Sequence, residues 1–327
     1  MVREADRSRG RSGADDGVAE RPTQLPGGSW WAAVKRTFKE FRIDNLSDWA
    51  AALTYYSVLS IFPALLVLIS LIDLTGQSTI PALLDNLDQV APSSVNDILR
   101  DAITNLQQTQ GSAGIVALVG LAAALWSASA YVAAFMRASN AIYDVPEGRP
   151  VWKTVPIRLG VTVLVMLLLA VSAFAVVATG GLADRIGRLL GIGSAAVTAW
   201  DIAKWPVLLL LVSFMFALLY WASPNAKQGF RWVTPGGILA VVVWVVASVA
   251  FALYVANFSS YNKTYGSLAG AIIFLVWLWI SNIAILLGAE LNAELERSRA
   301  IAAGHPADAE PYMELRDTSK LRDRDDL

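Results

Sequence analysis

The sequence predicts an all-α, polytopic membrane protein: a bundle of six transmembrane helices with amphipathic interfacial helices. The chain of 327 residues is 55% hydrophobic and only 16% charged, whereas about 25% of a soluble domain is charged. As one soluble globule it could not cover its apolar side chains. The apolar residues also form six continuous runs, each close to the roughly 20 residues that a helix needs to cross a bilayer. Continuous rather than alternating apolarity excludes a transmembrane β-barrel.

The six runs are expected to be helical because lipid offers backbone groups no hydrogen-bond partner. Their approximate bounds are 49–72, 113–135, 157–181, 204–222, 235–257 and 267–293. The membrane domain as a whole covers 29–297. The flanks, residues 1–28 and 298–327, are polar and poor in aromatic residues, so both are expected to be disordered tails. The first flank has no apolar run, so no cleavable signal peptide is expected.

Amphipathic patterns predict further helices outside the spans. Residues 29–43 are expected to lie on the inner membrane surface, because apolar and basic side chains take opposite faces. The apolar face holds Trp30, Val34, Phe38 and Phe41, and the basic face holds Lys35, Lys39 and Arg42. Residues 81–91 and 94–107 are expected to form a cap of two short helices that packs on the outer ends of the spans.

The distribution of Lys and Arg predicts the orientation. Of the 26 basic residues, 21 fall in the two tails and the even-numbered connections. The other side holds five: Arg100, Arg185, Arg188, Lys204 and Lys263. The richer side is expected to be cytoplasmic. Both termini would then lie in the cytoplasm, which agrees with an even number of spans in the bacterial inner (cytoplasmic) membrane.

Span 1 carries an unusual polar face. Tyr56, Ser60, Pro63 and Ser70 fall within a sector of about 80° on a helix. Pro63 cannot donate to the carbonyl of Leu59, which must find another partner. This face is therefore expected to turn into the bundle. Either the helix is kinked and packs on its neighbours, with the hydroxyls forming interhelical hydrogen bonds, or this face is a hinge or a wall of a hydrated cavity.

Span 6 places amide and carboxyl groups inside an apolar helix. Asn282, Glu290 and Glu294 fall within an arc of about 120°, and Asn292 lies between the two acids. Glu294 is expected at the headgroup level. Glu290 lies one turn deeper, where a carboxylate is costly and needs a partner. The candidate partners are Arg137, Arg158 and the hydroxyl face of span 1.

Two shorter motifs also contain candidate residues. At the inner end of span 2, a local polar network could form from Asn140, Asp144, Glu147 and Arg149. Alternatively, this stretch is only the positively charged flank of the span, ending in a turn around Pro146. Before span 6, "GSLAG" (266–270) places Gly266 and Gly270 where two helices could pack closely. Asn262 and Tyr265 precede this motif at the outer interface.

The composition limits the possible chemistry. The chain has no cysteine and a single histidine, His305, in the C-terminal flank. The acidic residues lie at span ends, in the external cap or in the tails. No metal site, cofactor or acid–base pair of a nuclease is therefore expected. No basic groove with interleaved aromatics points to nucleic acid, and no GxxxxGK[ST] motif points to an ATPase.

Several motifs together resemble the YihY/virulence factor BrkB family. They cover roughly 30–297 and comprise "AAALTYYSVLSIFP" (50–63), "WSASAYVAAFMRASNAIYDVPEGRP" (126–150), "SPN" (223–225), "PGG" (235–237), "YNKTYGSLAGAIIFLVWLW" (261–279) and "GAELNAELER" (288–297). The resemblance implies a six-span protein of the bacterial inner membrane. Members are linked to serum resistance and to lipid or lipopolysaccharide export, and some carry a ribonuclease label.

The expected function is therefore non-enzymatic, with membrane lipids as partners. The chain is expected to move or export a lipid-like, amphipathic molecule. The alternative is a membrane scaffold or envelope-assembly partner. A transporter should contain a cavity lined by Tyr56, Ser60 and Asn282, whereas a scaffold should be a solid bundle. The sequence indicates neither a protein partner nor an oligomeric state.

Overall fold

A computed structural model describes residues 27–73, 114–177, 194–256 and 267–325. Within these ranges the regular structure is helical, apart from one isolated bridge between Ala226 and Leu315. The all-α prediction is thus confirmed. The helices are α1 (Gly27–Ile43), α2 (Leu46–Asp73), α3 (Gly114–Ile142), α4 (Val151–Val177), α5 (Ser194–Ala222), α6 (Pro235–Ala256), α7 (Ser267–Ala302) and α8 (Ser319–Asp325).

Helices α2 to α7 coincide with the six predicted spans. Four of them contain stretches that are long and apolar enough to cross a membrane, judged by length and composition alone: Val151–Val176, Ile202–Ala222, Pro235–Val255 and Gly270–Ala302. The structure describes only some of the side chains of α2 and α3. The count of six spans therefore stays a prediction, while a polytopic helical membrane protein is what the structure supports.

Local sequence explains several helix ends. Asn45 and Asp144 follow α1 and α3 with φ angles of 52° and 50°, a left-handed conformation that commonly ends a helix. At the start of α6, Pro235 takes the first helical position, where its missing N–H costs nothing. The hydroxyl of Thr234 accepts the N–H of Gly237 at 3.0 Å and so caps that helix.

Helix α7 lies at the centre of the fold. It packs against α6, α2 and α1, while α3 packs on α2 and α4 lies between α3 and α5. The buried core contains Phe135, Leu219 and Leu286 and lies toward one end of the bundle. We call this end the capped end. It comprises α1, the connections 143–150 and 223–234, and the C-terminal arm, residues 303–325.

The C-terminal arm differs from the sequence expectation. Composition predicts a disordered tail from residue 298, whereas α7 continues to Ala302 and the arm folds back across the capped end. The backbone N–H of Lys227 donates to the carbonyl of Glu314 at 2.8 Å, and that of Lys320 donates to Gly148 at 2.9 Å. These backbone bonds, together with Met313 and Leu315 packing on the core, hold the arm, and composition alone does not reveal such contacts.

The helix predicted at the membrane surface is present as α1, and it packs on the protein. Trp30 and Val34 contact a small cluster formed by Ala33, Leu291 and Leu295. Phe38, which the pattern places on the same apolar face, is exposed. The other predicted segments, residues 1–26 and the two helices within 81–107, lie outside the described residues.

Candidate functional site

A polar junction at Asn282 joins three helices inside the bundle. The hydroxyl of Tyr131 on α3 donates to Asn282 Oδ1 at 3.0 Å. The amide of Asn282 donates in turn to the hydroxyl of Thr54 on α2 at 3.2 Å. Since all three side chains are largely shielded, the junction satisfies polar groups that would be costly in an apolar interior.

The polar face of span 1 makes local contacts. The hydroxyl of Ser60 donates to the carbonyl of Tyr56 at 2.7 Å and lies 3.3 Å from the carbonyl of Ala128 on α3. Tyr56 is half-buried against the core. The backbone of α2 stays helical through Pro63, whose side chain lies outside the description.

Glu290 is the most unusual residue of α7. It is only 1% exposed, and its Oε2 atom has no hydrogen-bond partner among the residues that the structure describes. The carboxylates within electrostatic range come from three other elements and from its own helix: Glu40 on α1, Asp44 in the α1–α2 linker, Asp144 after α3, and Glu294. A buried carboxyl therefore faces a cluster of like charge, which we call the acidic cluster.

Two arginines neutralise only part of this cluster. Arg36 on α1 forms an ion pair with Glu294, and Arg297 lies 3.3 Å from Glu294 and 3.7 Å from Glu40. Glu294 was expected at the headgroup level, and in the structure α1 covers it. Glu294 is buried and ion-paired.

The predicted basic partners of Glu290 do not reach it. The guanidinium of Arg158 stacks over the ring of Trp126, with its carbon 4.2 Å from the ring centroid. Arg137 is exposed. The prediction of a pair with either arginine was wrong, because Glu290 faces the α1–α2 linker instead.

Crowding by acidic groups also raises the pKa values of Asp44, in the α1–α2 linker, and of Asp144, just after α3. Burial and the neighbouring carboxylates raise the pKa of Asp44 from 3.8 to about 7. Burial and the charge of Glu310 raise the pKa of Asp144 to about 6. Part of the acidic cluster thus titrates near neutral pH.

A second network joins the connections at the capped end. Arg149 is 2% exposed and binds the carboxylate of Glu147 through Nε and Nη2, both at 2.7 Å. It also donates to the carbonyls of Ala222 and Ser223 at the end of α5. Burial opposes ionisation of Glu147, but the hydrogen bonds and charge of Arg149 hold its pKa below the ordinary value. Asn140 completes the group by donating to Glu147 at 2.9 Å.

Asn225 extends this network to the C-terminal arm. Its backbone N–H donates to Asn140 Oδ1 at 2.7 Å, and its side-chain amide donates to the carbonyls of Pro146 and Asp317 at 3.0 and 2.9 Å. Asp144, expected in this network, belongs to the acidic cluster instead. Asn225 was not among the predicted site residues, although it lies in the "SPN" motif.

Close helix packing occurs at other glycines than those predicted. A Cβ atom at Gly270 would meet no described atom within 4 Å, so the described residues show no close contact there and its packing role stays a prediction. A Cβ at Gly288 would instead collide with the carbonyl of Gly236 and lie 2.6 Å from the Tyr220 hydroxyl. Asn292 locks this crossing by accepting the N–H of Gly236 at 2.9 Å and donating to Thr234 at 3.0 Å. Asn262, Tyr265 and Gly266 lie outside the described residues.

A cavity of about 110 Å³ opens beside this crossing. We call it the end pocket, because it lies at the capped end between Tyr143 after α3, the end of α5, the 223–234 connection, the start of α6 and α7. Its polar and aromatic lining includes Tyr143, Tyr220, Trp221, Gln228, Thr234 and Asn292, and its charged lining comprises Lys227, Arg231, Glu296 and Arg299. Tyr56, Ser60 and Asn282 do not line it. Within the described ranges, no group of His, Asp or Glu side chains is arranged to hold a metal ion.

Comparison with known proteins agrees with this architecture. A sequence model described as "Virulence factor BrkB" matches residues 37–312. "Putative ribonuclease-like protein YfkH" of Bacillus subtilis (strain 168) is 32% identical over 84% of this chain and 98% of its own length. "UPF0761 membrane protein" of Alkalilimnicola ehrlichii is 31% identical over 82% of this chain, but only 60% of that relative is covered. No solved structure matches. The chain therefore belongs to the virulence factor BrkB family.

Proposed function

We propose that the protein moves or exports an amphipathic, lipid-like molecule across the cytoplasmic membrane. The observation that carries this proposal is Glu290, a carboxyl in α7 that is buried and makes no hydrogen bond through Oε2 within the described chain. Ionisable groups at membrane depth are costly, face the bundle interior and mark substrate or proton pathways. Glu290 shares the burial that such groups have, and its Oε2 atom has no hydrogen-bond partner among the described residues.

The surroundings of Glu290 suggest how it would act. It lies where α7 meets α1 and α2, and carboxylates from α1, the α1–α2 linker and α7 itself lie within electrostatic range. Uptake or release of a proton by Glu290 would change the repulsion between these elements. A charge change can therefore shift how α1 and α2 pack on α7, which is the coupling that a proton-linked transporter needs.

The alternative function is a membrane scaffold or envelope-assembly partner without transport. One observation favours it: Tyr56, Ser60 and Asn282 make contacts inside the bundle and do not line the end pocket. The ribonuclease-like name belongs to the Bacillus relative. For this chain we propose no nuclease activity, since its single histidine, His305, lies beside the ring of Tyr312 in the C-terminal arm.

Native mass spectrometry with lipidomics of the purified protein tests the proposal. A transporter should retain one class of amphipathic molecule far above its share of the surrounding membrane. A scaffold should retain lipids in the proportions of the bulk membrane, and this outcome would favour the alternative. Incubation of the same preparation with labelled RNA tests the ribonuclease reading, and we expect the RNA to stay intact.

A further inference from the structure

We propose that the end pocket binds a phosphate ester anion. The inference deepens the proposed function, on which it rests only for the apolar part of the ligand. The pocket volume of about 110 Å³ is several times the space that one water molecule needs. A phosphate group with one or two waters fits this space, whereas a whole lipid does not.

The charge of the lining favours an anion. Three of its four charged residues are basic, and Arg299 lies 2.5 Å from the single acid, Glu296. Within the lining the basic groups therefore outnumber the acid, and Glu314 of the C-terminal arm pairs with one of them, Lys227. Cationic side chains beside backbone and hydroxyl groups form the usual setting for phosphate in proteins.

A carboxylate of the protein already lies beside Lys227 at the opening of the pocket. The Glu314 carboxylate of the C-terminal arm lies 2.9 Å from the ammonium group of Lys227. The two side chains are 71% and 78% exposed, and ion pairs of this kind contribute little to stability. The Glu314 carboxylate is therefore held only weakly, and a phosphate ester could take its place beside Lys227.

A buried hydroxyl lines the pocket without a good acceptor. Tyr143 is 6% exposed, and its hydroxyl lies 3.5 Å from Gln228 Oε1, well beyond the 2.5–3.0 Å of an ordinary O–H···O hydrogen bond. Gln228 cannot easily approach, because its amide donates to the carbonyl of Tyr220 at 2.7 Å. A phosphate oxygen in the pocket would supply the missing acceptor.

The rim offers a surface for an apolar chain. Trp221 lines the pocket and meets the ring of Phe230 edge-on at 5.6 Å. Phe214 packs against both Phe230 and Trp232. These aromatic side chains are partly exposed at the end of α5, the position that aromatic residues favour at a membrane surface. The expected ligand therefore combines a phosphate ester head in the pocket with an apolar part along these rings.

Native mass spectrometry of the full chain in detergent tests the site. The probes are dioctanoyl phosphatidic acid, dioctanoyl phosphatidylcholine and inorganic phosphate. We expect saturable binding of phosphatidic acid that exceeds binding of the zwitterionic phosphatidylcholine. If inorganic phosphate competes at similar concentrations, the site accepts free phosphate. If it does not, the apolar part is required. Failure of both anionic probes to bind would overturn the proposal and leave a water-filled cavity.

Variants locate the binding. Arg231→Gln and Tyr143→Phe should each weaken phosphatidic acid binding at least about tenfold, the effect of losing one hydrogen bond to a charged group. Glu314→Gln should strengthen it, because Lys227 is released. The control is Lys320→Gln, an exposed cation of the arm outside the pocket, which should change nothing. Equal losses in Lys320→Gln and Arg231→Gln would show surface attraction only and overturn the site.

The experiments distinguish failure of the binding-site proposal from failure of the transport proposal. Wild-type binding by folded Arg231→Gln and Tyr143→Phe variants would overturn this inference even if the protein moved lipid. Tight, variant-sensitive binding without any translocation would support the site and contradict only the proposed function.

Discussion

At the scale of single residues, the acids of the capped end fall into two kinds. Glu294 and Glu40 lie beside Arg36 or Arg297, so their charges are balanced. Glu290 and Asp44 have carboxylates as their main charged neighbours. The first kind should stabilise the fold when ionised, whereas the second kind opposes its own ionisation.

Asp44→Asn should raise thermal stability at and above neutral pH. The pKa of Asp44 rises from 3.8 to about 7 in the folded protein, so between these values the folded state binds a proton that the unfolded state has lost. Stability therefore falls as pH rises from about 4 to about 7, and the loss persists above pH 7. The variant should recover about 1–2 kcal/mol, less than the full shift because solvent reaches part of the carboxyl.

The measurement is the melting temperature in detergent from pH 4 to pH 8. Asp48→Asn, an exposed acid in the first turn of α2, serves as the control and should keep the wild-type slope. Identical slopes for Asp44→Asn and the wild type would contradict the burial of Asp44 beside the acidic cluster.

Glu290→Gln and Glu294→Gln should differ sharply in stability. Glu290 has no ion-pair partner in the described part of the chain. Its neutralisation therefore leaves no cation unpaired, and the melting temperature should stay the same or rise. Loss of the Glu294 charge leaves Arg36 half-buried beside Ser298. A buried pair that loses one partner costs about 3–5 kcal/mol. A lower melting temperature for Glu290→Gln would show that a cation holds this carboxylate.

At the scale of helices, α6 and α7 cross in close backbone contact. Gly236 and Gly288 bring the two backbones together, and Asn292 ties the crossing to the cap of α6 at Thr234. Farther along the helices, Trp244 donates to the hydroxyl of Ser281 at 3.0 Å. Small residues and interhelical hydrogen bonds are how helices associate where no hydrophobic driving force exists.

Gly288→Ala should destabilise the protein by about 1–3 kcal/mol, the usual cost of overpacking a tight interior contact. The added methyl would meet the backbone of Gly236, which cannot rotate away. Gly270→Ala is the matched control on the same helix. It faces open space and should be neutral or stabilising by up to about 1 kcal/mol, because alanine favours helix. Equal melting temperatures for the two variants would contradict the crossing.

Helix positions could largely be predicted from sequence, and helix ends less well. The apolar runs match α2 to α7, but α5 begins about ten residues earlier than predicted because the helix continues back through Asp201, beyond the apolar run. The network of Asn140, Glu147 and Arg149 is local in sequence and therefore visible. The contacts between Arg36 and Glu294, 258 residues apart, and between Asn225 and Asp317, 92 apart, leave no local pattern. They arise only when α1 and the C-terminal arm fold over the capped end.

At the scale of the whole molecule, the capped end is a single polar layer. Helix α1, the connections after α3 and α5, and the C-terminal arm all meet there. The acidic cluster, the Arg149 network and the end pocket lie in the same layer. We infer that this layer faces the cytoplasm, since the connections and tails on this side carry 21 of the 26 basic residues.

Reporter fusions at both termini and after Gln108 test this orientation. The termini should report a cytoplasmic location and Gln108 an external one. A fusion at the C terminus that reports an external location would contradict the six-span arrangement.

Lipid translocation in proteoliposomes tests the central claim most directly. Vesicles carry a fluorescent short-chain phosphatidylglycerol, and an impermeant quencher reports how fast it crosses the bilayer. Wild-type protein and the control Asp308→Asn, an exposed acid of the C-terminal arm, should speed the crossing above that of protein-free vesicles. Glu290→Gln, folded and equally abundant, should fall to the protein-free rate. Translocation by Glu290→Gln at the wild-type rate, or by none of the proteins, would contradict the account.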